Sequence, residues 1–488
     1  MLKEGVVYLV GAGPGDQRLI TVKGLSALKK ADVILYDRLV NPLLLQEAKP
    51  DAELIYCGKL PDRHILRQEA INDLLVEKAK LGKVVVRLKG GDPSVFGRVG
   101  EEAEALKKEN ILFEIVPGIT AGIATASYAG IPVTHREHGT SFTVVTGHDK
   151  SADGKPLINW PALATGIDTI AFYMGIKNLP YICKQLIFNG RSPETKVAVI
   201  QWGTTGKQKV VEGTLTSIES EVAKHNISNP AITLVGNIAS LRKKLQWFEN
   251  KLLFGKKIIF PDSDASQREE LLNNGAEVLE YPKLVVQSET ENQTYLEKLK
   301  NLKNYNEVFF SSKESVPLFF DSLLDYGIDI RSLTAQLLAK DSETIAALKN
   351  KGLFAEQATV TSLGNSSLIV GSLEEFNNDQ NKHDYLITHD FQTSHPATIA
   401  FQRAVEEGGF NTIIFSSPKS VKVFIENVKK DGYDPYELIR NCQVICFGEN
   451  TLLEAKKNKV VVDLYTDRTG RNAFVDLEQL LMQHEKVI

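Results

Sequence analysis

Val6-Val7-Tyr8-Leu9-Val10-Gly11-Ala12-Gly13-Pro14-Gly15-Asp16 is the stretch on which the fold turns. Five apolar residues that end in glycine read as a buried strand running into a loop. Glycine allows positive φ and lets a backbone approach a ligand closely. A dinucleotide-binding turn would need G-x-G-x-x-G opening a helix, and Asp16 stands where the third glycine belongs. Pro14 also removes a backbone donor. Asp37 closes the next β-branched run, where a ribose-binding acid would lie, so the loop alone leaves a nicotinamide oxidoreductase open.

Outward from this loop, short β-branched runs recur at residues 6–10, 33–36, 84–88, 143–146, 169–173, 197–201 and 232–235. Helical patterns such as residues 103–108 and 182–187 lie between them. The alternation predicts an α/β protein with largely parallel sheets. Pro117 and Gly118 interrupt the pattern at a first seam. Glu249-Asn250-Lys251 precede a fresh strand at 257–260, which puts the main boundary near residue 250. Beyond it Phe310-Ser311-Ser312-Lys313-Glu314-Ser315-Val316 matches Phe415-Ser416-Ser417-Pro418-Lys419-Ser420-Val421. Such a repeat predicts two similar lobes, with hydroxyls and helix-start N–H groups offered to an anion or simply capping each helix.

A chain of 488 residues suits several domains. No apolar run reaches the roughly 18 residues of a membrane span, and no signal-peptide pattern opens the chain. A net charge of -4 gives no basic footprint for nucleic acid. Cys57, Cys183, Cys442 and Cys446 are scattered, which argues against a disulfide framework or zinc site and fits a reducing cytoplasm. No metal site is expected.

Further motifs follow in order: Arg87-Leu88-Lys89-Gly90-Gly91-Asp92-Pro93, Val116-Pro117-Gly118-Ile119-Thr120-Ala121, Ile131-Pro132-Val133-Thr134-His135-Arg136, Thr146-Gly147-His148, Tyr173-Met174-Gly175 and Pro230-Ala231. In this order and spacing, residues 6–248 closely resemble the uroporphyrinogen-III C-methyltransferases of the tetrapyrrole methylase superfamily. The resemblance implies two α/β lobes, at about 1–116 and 119–248, around a cofactor cleft. It implies a homodimer formed through this half, and S-adenosylmethionine as cofactor, leaving as S-adenosylhomocysteine. The reaction it implies takes uroporphyrinogen III through precorrin-1 to precorrin-2, for siroheme or cobalamin. Carried over by position, the cofactor meets Pro14, Gly90, Gly91, Asp92, Val95, Thr120, Ala121, Met174 and Gly203. The proton acceptor falls on Asp37 and the proton donor on Lys59. The substrate carries eight carboxylates, so Arg38, Arg63, Arg87, Lys89, Arg98 and Arg136 are candidates to line the cleft. Each has a plainer reading: Asp37 as a loop brace, Lys59 as a surface lysine, Met174 as core filling. The family usually has a glycine pair after Phe-Gly-Arg, where this chain has Val99-Gly100.

Residues 254–488 resemble uroporphyrinogen-III synthase through Gly255-Lys256-Lys257-Ile258-Ile259-Phe260, Gly275-Ala276-Glu277-Val278, Tyr281-Pro282, the two Phe-Ser-Ser repeats and Gln392-Thr393-Ser394-His395-Pro396. The resemblance implies lobe one at about 254–286 plus 392–488, lobe two at about 289–388, and a two-stranded hinge. It implies cyclisation of hydroxymethylbilane to uroporphyrinogen III without a cofactor. Ser311, Ser312, Ser315, Ser416, Ser417 and Ser420 are candidates to hold substrate carboxylates. Pro261-Asp262-Ser263-Asp264 stands where the family often has an arginine, Lys340-Asp341-Ser342-Glu343 replaces a Gly-rich turn, and Phe391 replaces a tyrosine often implicated in catalysis. Residues 355–381 are also short for the family.

Three functions therefore compete: a bifunctional enzyme, a methyltransferase carrying a silent tetrapyrrole-binding module, and a nicotinamide oxidoreductase, against which Asp16 and the later motifs weigh. No further dinucleotide-binding pattern is seen, so oxidation of precorrin-2 and metal insertion are not expected. Binding to nucleic acid or a membrane is not expected either.

Overall fold

The computed structural model describes residues 5–58, 67–148, 154–291, 293–378 and 383–467. The chain forms two compact units, Met1–Pro282 with His395–Ile488, and Lys283–Ser394.

The first sheet of the larger unit is wholly parallel, in the order Glu53–Tyr56, Val33–Tyr36, Val84–Lys89, Val6–Gly11, Leu112–Val116. Side chains alternate across it as strand geometry requires. Val7, Leu9, Val33, Leu35 and Val85 pack on one face with Leu75 and Leu106. These come from the helices Gln68–Lys80 and Val99–Lys108. Ile71, Leu75 and Ala79 recur every four residues, which aims one helical stripe at the sheet. Val10, Ile34, Tyr36, Val86 and Leu88 fill the other face.

The second sheet runs Phe142–Thr146, Thr169–Tyr173, Ala231–Val235, Lys196–Gln201, Lys209–Thr214. Only its first pair is parallel, and the other three pairs are antiparallel. The expectation of largely parallel sheets fails here, and one of the three antiparallel pairs has a direct cause. Residues 202–208 are too few to carry a crossover, so the strands they join must form a hairpin.

The third sheet, again all parallel, is Glu277–Leu279, Lys257–Ile259, Thr412–Phe415, Gln443–Phe447, Leu464–Thr466. Its helix His395–Glu406 packs against the short 3-10 helix Pro42–Glu47 of the N-terminal half. One continuous core results. Val10, Ile34, Leu44 and Leu88 share it with Ile259, Phe401, Phe415 and Phe424. Tyr281 stacks on Phe401 with ring centroids 3.8 Å apart and planes 4° apart.

The smaller unit holds one six-stranded sheet, Leu284–Ser288, Asp384–Thr393, Ser367–Ser372, Glu307–Phe310, Gln336–Ala339, Glu356–Gln357. The first pair is antiparallel, from Leu284 opposite Thr393 to Ser288 opposite His389, and the rest are parallel. That antiparallel pair is the two-stranded connection through which the chain enters and leaves. Phe319, Phe320 and Leu323 of the helix Ser315–Asp325 cover the sheet. Among the described residues, no helix is long and apolar enough to cross a membrane.

Candidate active site

In the first sheet the motif loops all leave the carboxyl ends of parallel strands, the usual place for a ligand crevice in an α/β sheet. Gly13 and Gly91 bridge backbone to backbone, with Gly91 N–H to Gly13 O at 2.7 Å. A Cβ on Gly118 would stand 2.3 Å from Gly91 O, and one on Gly11 would stand 2.6 Å from Gly118 Cα. Three strand ends thus meet through glycine alone. Gly91 needs its φ of +70°, and a Cβ there would point toward the Ala121 N–H, 3.8 Å away.

Asp92 holds this arrangement by accepting from Ser94 N–H at 2.7 Å and Gly118 N–H at 3.0 Å. Its carboxylate is therefore a loop brace, and any cofactor contact of the Gly90-Gly91-Asp92 turn would come from backbone. Thr120 begins the helix Ala121–Tyr128 without capping it. Its hydroxyl instead meets Tyr173 OH at 2.5 Å, which also accepts from Gly122 N–H at 2.5 Å. The ring of Phe96 lies 5.1 Å from that of Tyr173. Tyr173 thereby ties the second sheet to the loops of the first.

Five non-glycine residues around these loops take positive φ: Phe96, Arg98, Met174, Trp202 and Thr204. Such conformations cost of order 1–3 kcal/mol each and gather at ligand sites. Met174 is also 48% exposed, so it does not fill the core. Pro14 and Val95 are half-buried, while Gly203 is buried against Thr125. An uncapped helix start, a glycine cradle and an exposed thioether suit a compact cofactor with a charged end and an apolar one.

Asp37 stands at the end of Val33–Tyr36 with its side chain about one-third exposed. Arg87 Nη2 donates to it at 2.6 Å. Beneath them Glu102 is fully buried, and its Oε1 takes Arg87 Nε at 3.1 Å, Lys89 Nζ at 2.7 Å and Gln68 Nε2 at 3.2 Å. Burial works against the Arg87 charge, but Asp37 and Glu102 raise its pKa above the ordinary value. Burial and then Arg87 push the Lys89 ammonium below its usual pKa.

Arg87 and Lys89 were expected to line the cleft and do not. Two apart in one strand, they share a face, and that face looks down onto Glu102 rather than toward a ligand. Arg38 and Arg136 are exposed, and Arg98 is exposed but paired with Glu101 at 2.5 Å. Lys59 and Arg63 lie outside the described residues. Sequence reasoning missed Glu102 and the bracing role of Tyr173. The signal for Glu102 was a carboxylate on the apolar stripe of Val99 and Leu106.

In the smaller unit, Ser311 is buried, bonded to Glu375 and to Val370 O at 3.3 Å. Ser315 is buried and donates to Ser312 O at 2.6 Å. In the larger unit, Ser417 and the buried Ser420 form a reciprocal capping box on Pro418–Lys430. For Ser311, Ser315 and Ser420 the anion-holding expectation is corrected: their hydroxyls satisfy helix starts and neighbouring groups. Ser312, Ser416 and Ser417 remain half-buried.

The two sheets and the glycine-lined sheet edge define an α/β protein with a small-molecule crevice at its strand ends. The family model for tetrapyrrole (corrin/porphyrin) methylases matches residues 6–219, and that for uroporphyrinogen-III synthase HemD matches residues 391–476. The chain is 44% identical over 457 residues to a uroporphyrinogen-III C-methyltransferase of Bacillus subtilis, covering 92% of this chain and 93% of the relative. It is 34% identical to the porphyrin biosynthesis protein HemD of Ruminiclostridium josui, covering 93% and 94%. A solved uroporphyrin-III-C-methyltransferase from Thermus thermophilus is 38% identical over 50% of this chain and 97% of its own, with a TM-score of 0.42. The chain belongs to the tetrapyrrole methylase family and carries a HemD segment behind it. It is an enzyme.

Proposed function

We propose that the N-terminal half methylates uroporphyrinogen III twice, through precorrin-1 to precorrin-2, and that the C-terminal half closes hydroxymethylbilane to uroporphyrinogen III. The full-length similarity to a uroporphyrinogen-III C-methyltransferase and to a porphyrin biosynthesis protein HemD, with the HemD family match over residues 391–476, supports the pairing. The observation that carries the first half is Asp37, held at the cleft by a buried guanidinium. S-adenosylmethionine supplies an electrophilic methyl group. Met174, Thr120, Ala121 and the Gly90-Gly91 turn would hold it, with Pro14, Val95 and Gly203 beside them. The pyrrole carbon gains a C–C bond as the C–S bond breaks, and the ring becomes cationic. Asp37 then stabilises that charge and accepts the ring proton. Arg87 fixes the orientation of the carboxylate, while Lys59 is the proposed proton donor. Arg38, Arg63, Arg98 and Arg136 are proposed to meet the substrate carboxylates.

In the second half the remaining candidates are Ser312, Ser416 and Ser417, with loop N–H groups. Local use of the other serines, together with Phe391 on the strand Asp384–Thr393, favours the second reading of a silent tetrapyrrole-binding module. We further propose a cytoplasmic homodimer formed through the methyltransferase half. Exposed Leu112, Ile115, Ile119 and Ile123 support an apolar contact there.

The test is anaerobic incubation with hydroxymethylbilane, with and without S-adenosylmethionine. Type III porphyrinogen without the cofactor and a dimethylated product with it are expected. Type I porphyrinogen alone in the first arm would select the silent module. No methylation of supplied uroporphyrinogen III would overturn the first half.

A further inference from the structure

A narrow pocket of about 70 Å³ lies inside the larger unit, where the N-terminal half meets the third sheet. Pro14 and Arg38 on one wall come from the methyltransferase loops, next to Asp37 in the chain. Lys257 and Glu407 on the other wall come from the synthase-like lobe. Lys207 reaches between them, its ammonium 5.3 Å from the Trp202 ring centroid and donating to Glu407 O at 2.6 Å.

The charges in this pocket do not cancel. Glu407 is already taken by Arg403 Nη2 at 2.5 Å. Glu277 accepts from Gly206 N–H at 3.1 Å and partly offsets Lys257. Arg38, Lys207 and Lys257 then face one remaining carboxylate. Burial, followed by the neighbouring Lys207, pushes Lys257 down to about 8. An anion beside the two ammonium groups would relieve that repulsion. Trp202 and Phe410 add flat apolar walls beside the cations. A space of this size admits one carboxylate arm, and cations beside aromatic surface suit such an arm on an otherwise apolar ring.

We propose that this pocket takes one carboxylate arm of the tetrapyrrole, with Lys207 and Lys257 as its anion-holding residues. The synthase-like lobe thereby supplies part of the methyltransferase's substrate site. The inference rests on the tetrapyrrole reading of the preceding section.

The test titrates the full chain with uroporphyrin III, the stable oxidised porphyrin, by fluorescence quenching. Lys207→Met and Lys257→Met are each expected to weaken binding about tenfold, as loss of a charge-assisted contact should. Lys257→Arg should restore most of it, and the surface control Lys30→Met should match wild type. S-adenosylhomocysteine titrated in parallel reports whether each variant is folded. Inorganic phosphate is the competing anion. Displacement of the porphyrin by phosphate at equal concentration would mean a general anion site and overturn the tetrapyrrole assignment. Porphyrin affinity unchanged in both Met variants would overturn the pocket itself. Methylation of uroporphyrinogen III by the same wild-type preparation separates the two failures. If methylation is present while binding ignores the lysines, only the pocket fails. If methylation is absent while binding is lysine-dependent, only the methyltransferase reading fails.

Discussion

Glu102 concentrates more electrostatic work than any loop residue around it. One of its oxygens takes three donors, and the other has no partner among the described residues. Arg87 and Lys89 are neutralised by Glu102 and Asp37 together, so each charge depends on the rest of the set. Glu102→Gln leaves two buried cations against one half-exposed carboxylate. It should cost about 3–5 kcal/mol, the usual cost of breaking a buried pair, read by urea unfolding. Asp37→Asn keeps the shape but removes the acceptor. Methyl transfer should fall roughly 10²–10⁴-fold, measured by single-turnover assay. The thiols make a separate case. Burial pushes Cys57 and Cys442 up to about 11, and Cys183 and Cys446 up to about 12. The folded state thus holds these protons more tightly than the unfolded chain. Their contribution is fully present below about pH 9 and is lost as pH rises through 11 to 12. A thiol-reactive disulfide reagent at pH 8 should label them slowly in the native protein, and all four promptly in denaturant.

At the scale of elements, the glycine meeting point sets the geometry of the cofactor loops. Gly118→Ala puts a methyl into Gly91 O, and backbone cannot yield as a side-chain tip does. S-adenosylhomocysteine affinity should drop more than tenfold by calorimetry. Position and kind of element were legible in the sequence because short apolar β-branched runs alternate with helical patterns. Strand direction in the second sheet was less so, since it is set by the length of each connection. Residues 84–88 announced a strand, yet the direction faced by Arg87 and Lys89 depended on Glu102, 13 residues beyond Lys89. The paired serines were legible as helix starts; local bonds then took the hydroxyls of Ser315 and Ser420, and Glu375, 64 residues away, took that of Ser311. Thr120 shows the converse: it sits where a cap belongs and bonds Tyr173, a partner 53 residues away.

For the whole molecule, the seam near residue 250 does not divide the hydrophobic core. Calorimetry should show the unit Met1–Pro282 with His395–Ile488 melting as one transition. S-adenosylhomocysteine should raise that transition, by about 2.7 kcal/mol at a hundred times its Kd, without moving that of Lys283–Ser394. Separate melting of residues 1–250 would contradict the shared core. Arg403 marks how far the sharing goes. It comes from the synthase-like lobe and is almost fully buried. Its guanidinium lies over the rings of Tyr36 and Tyr56, at 5.3 and 5.0 Å, and donates to Arg38 O at 3.1 Å. In genetic terms, the two halves of this polypeptide are not separate loci that happen to be joined. A lesion at codon 403 would score as a defect in methylation although it lies in the HemD segment. Two half-length alleles supplied in trans would complement poorly, because each would present half of a core as naked surface.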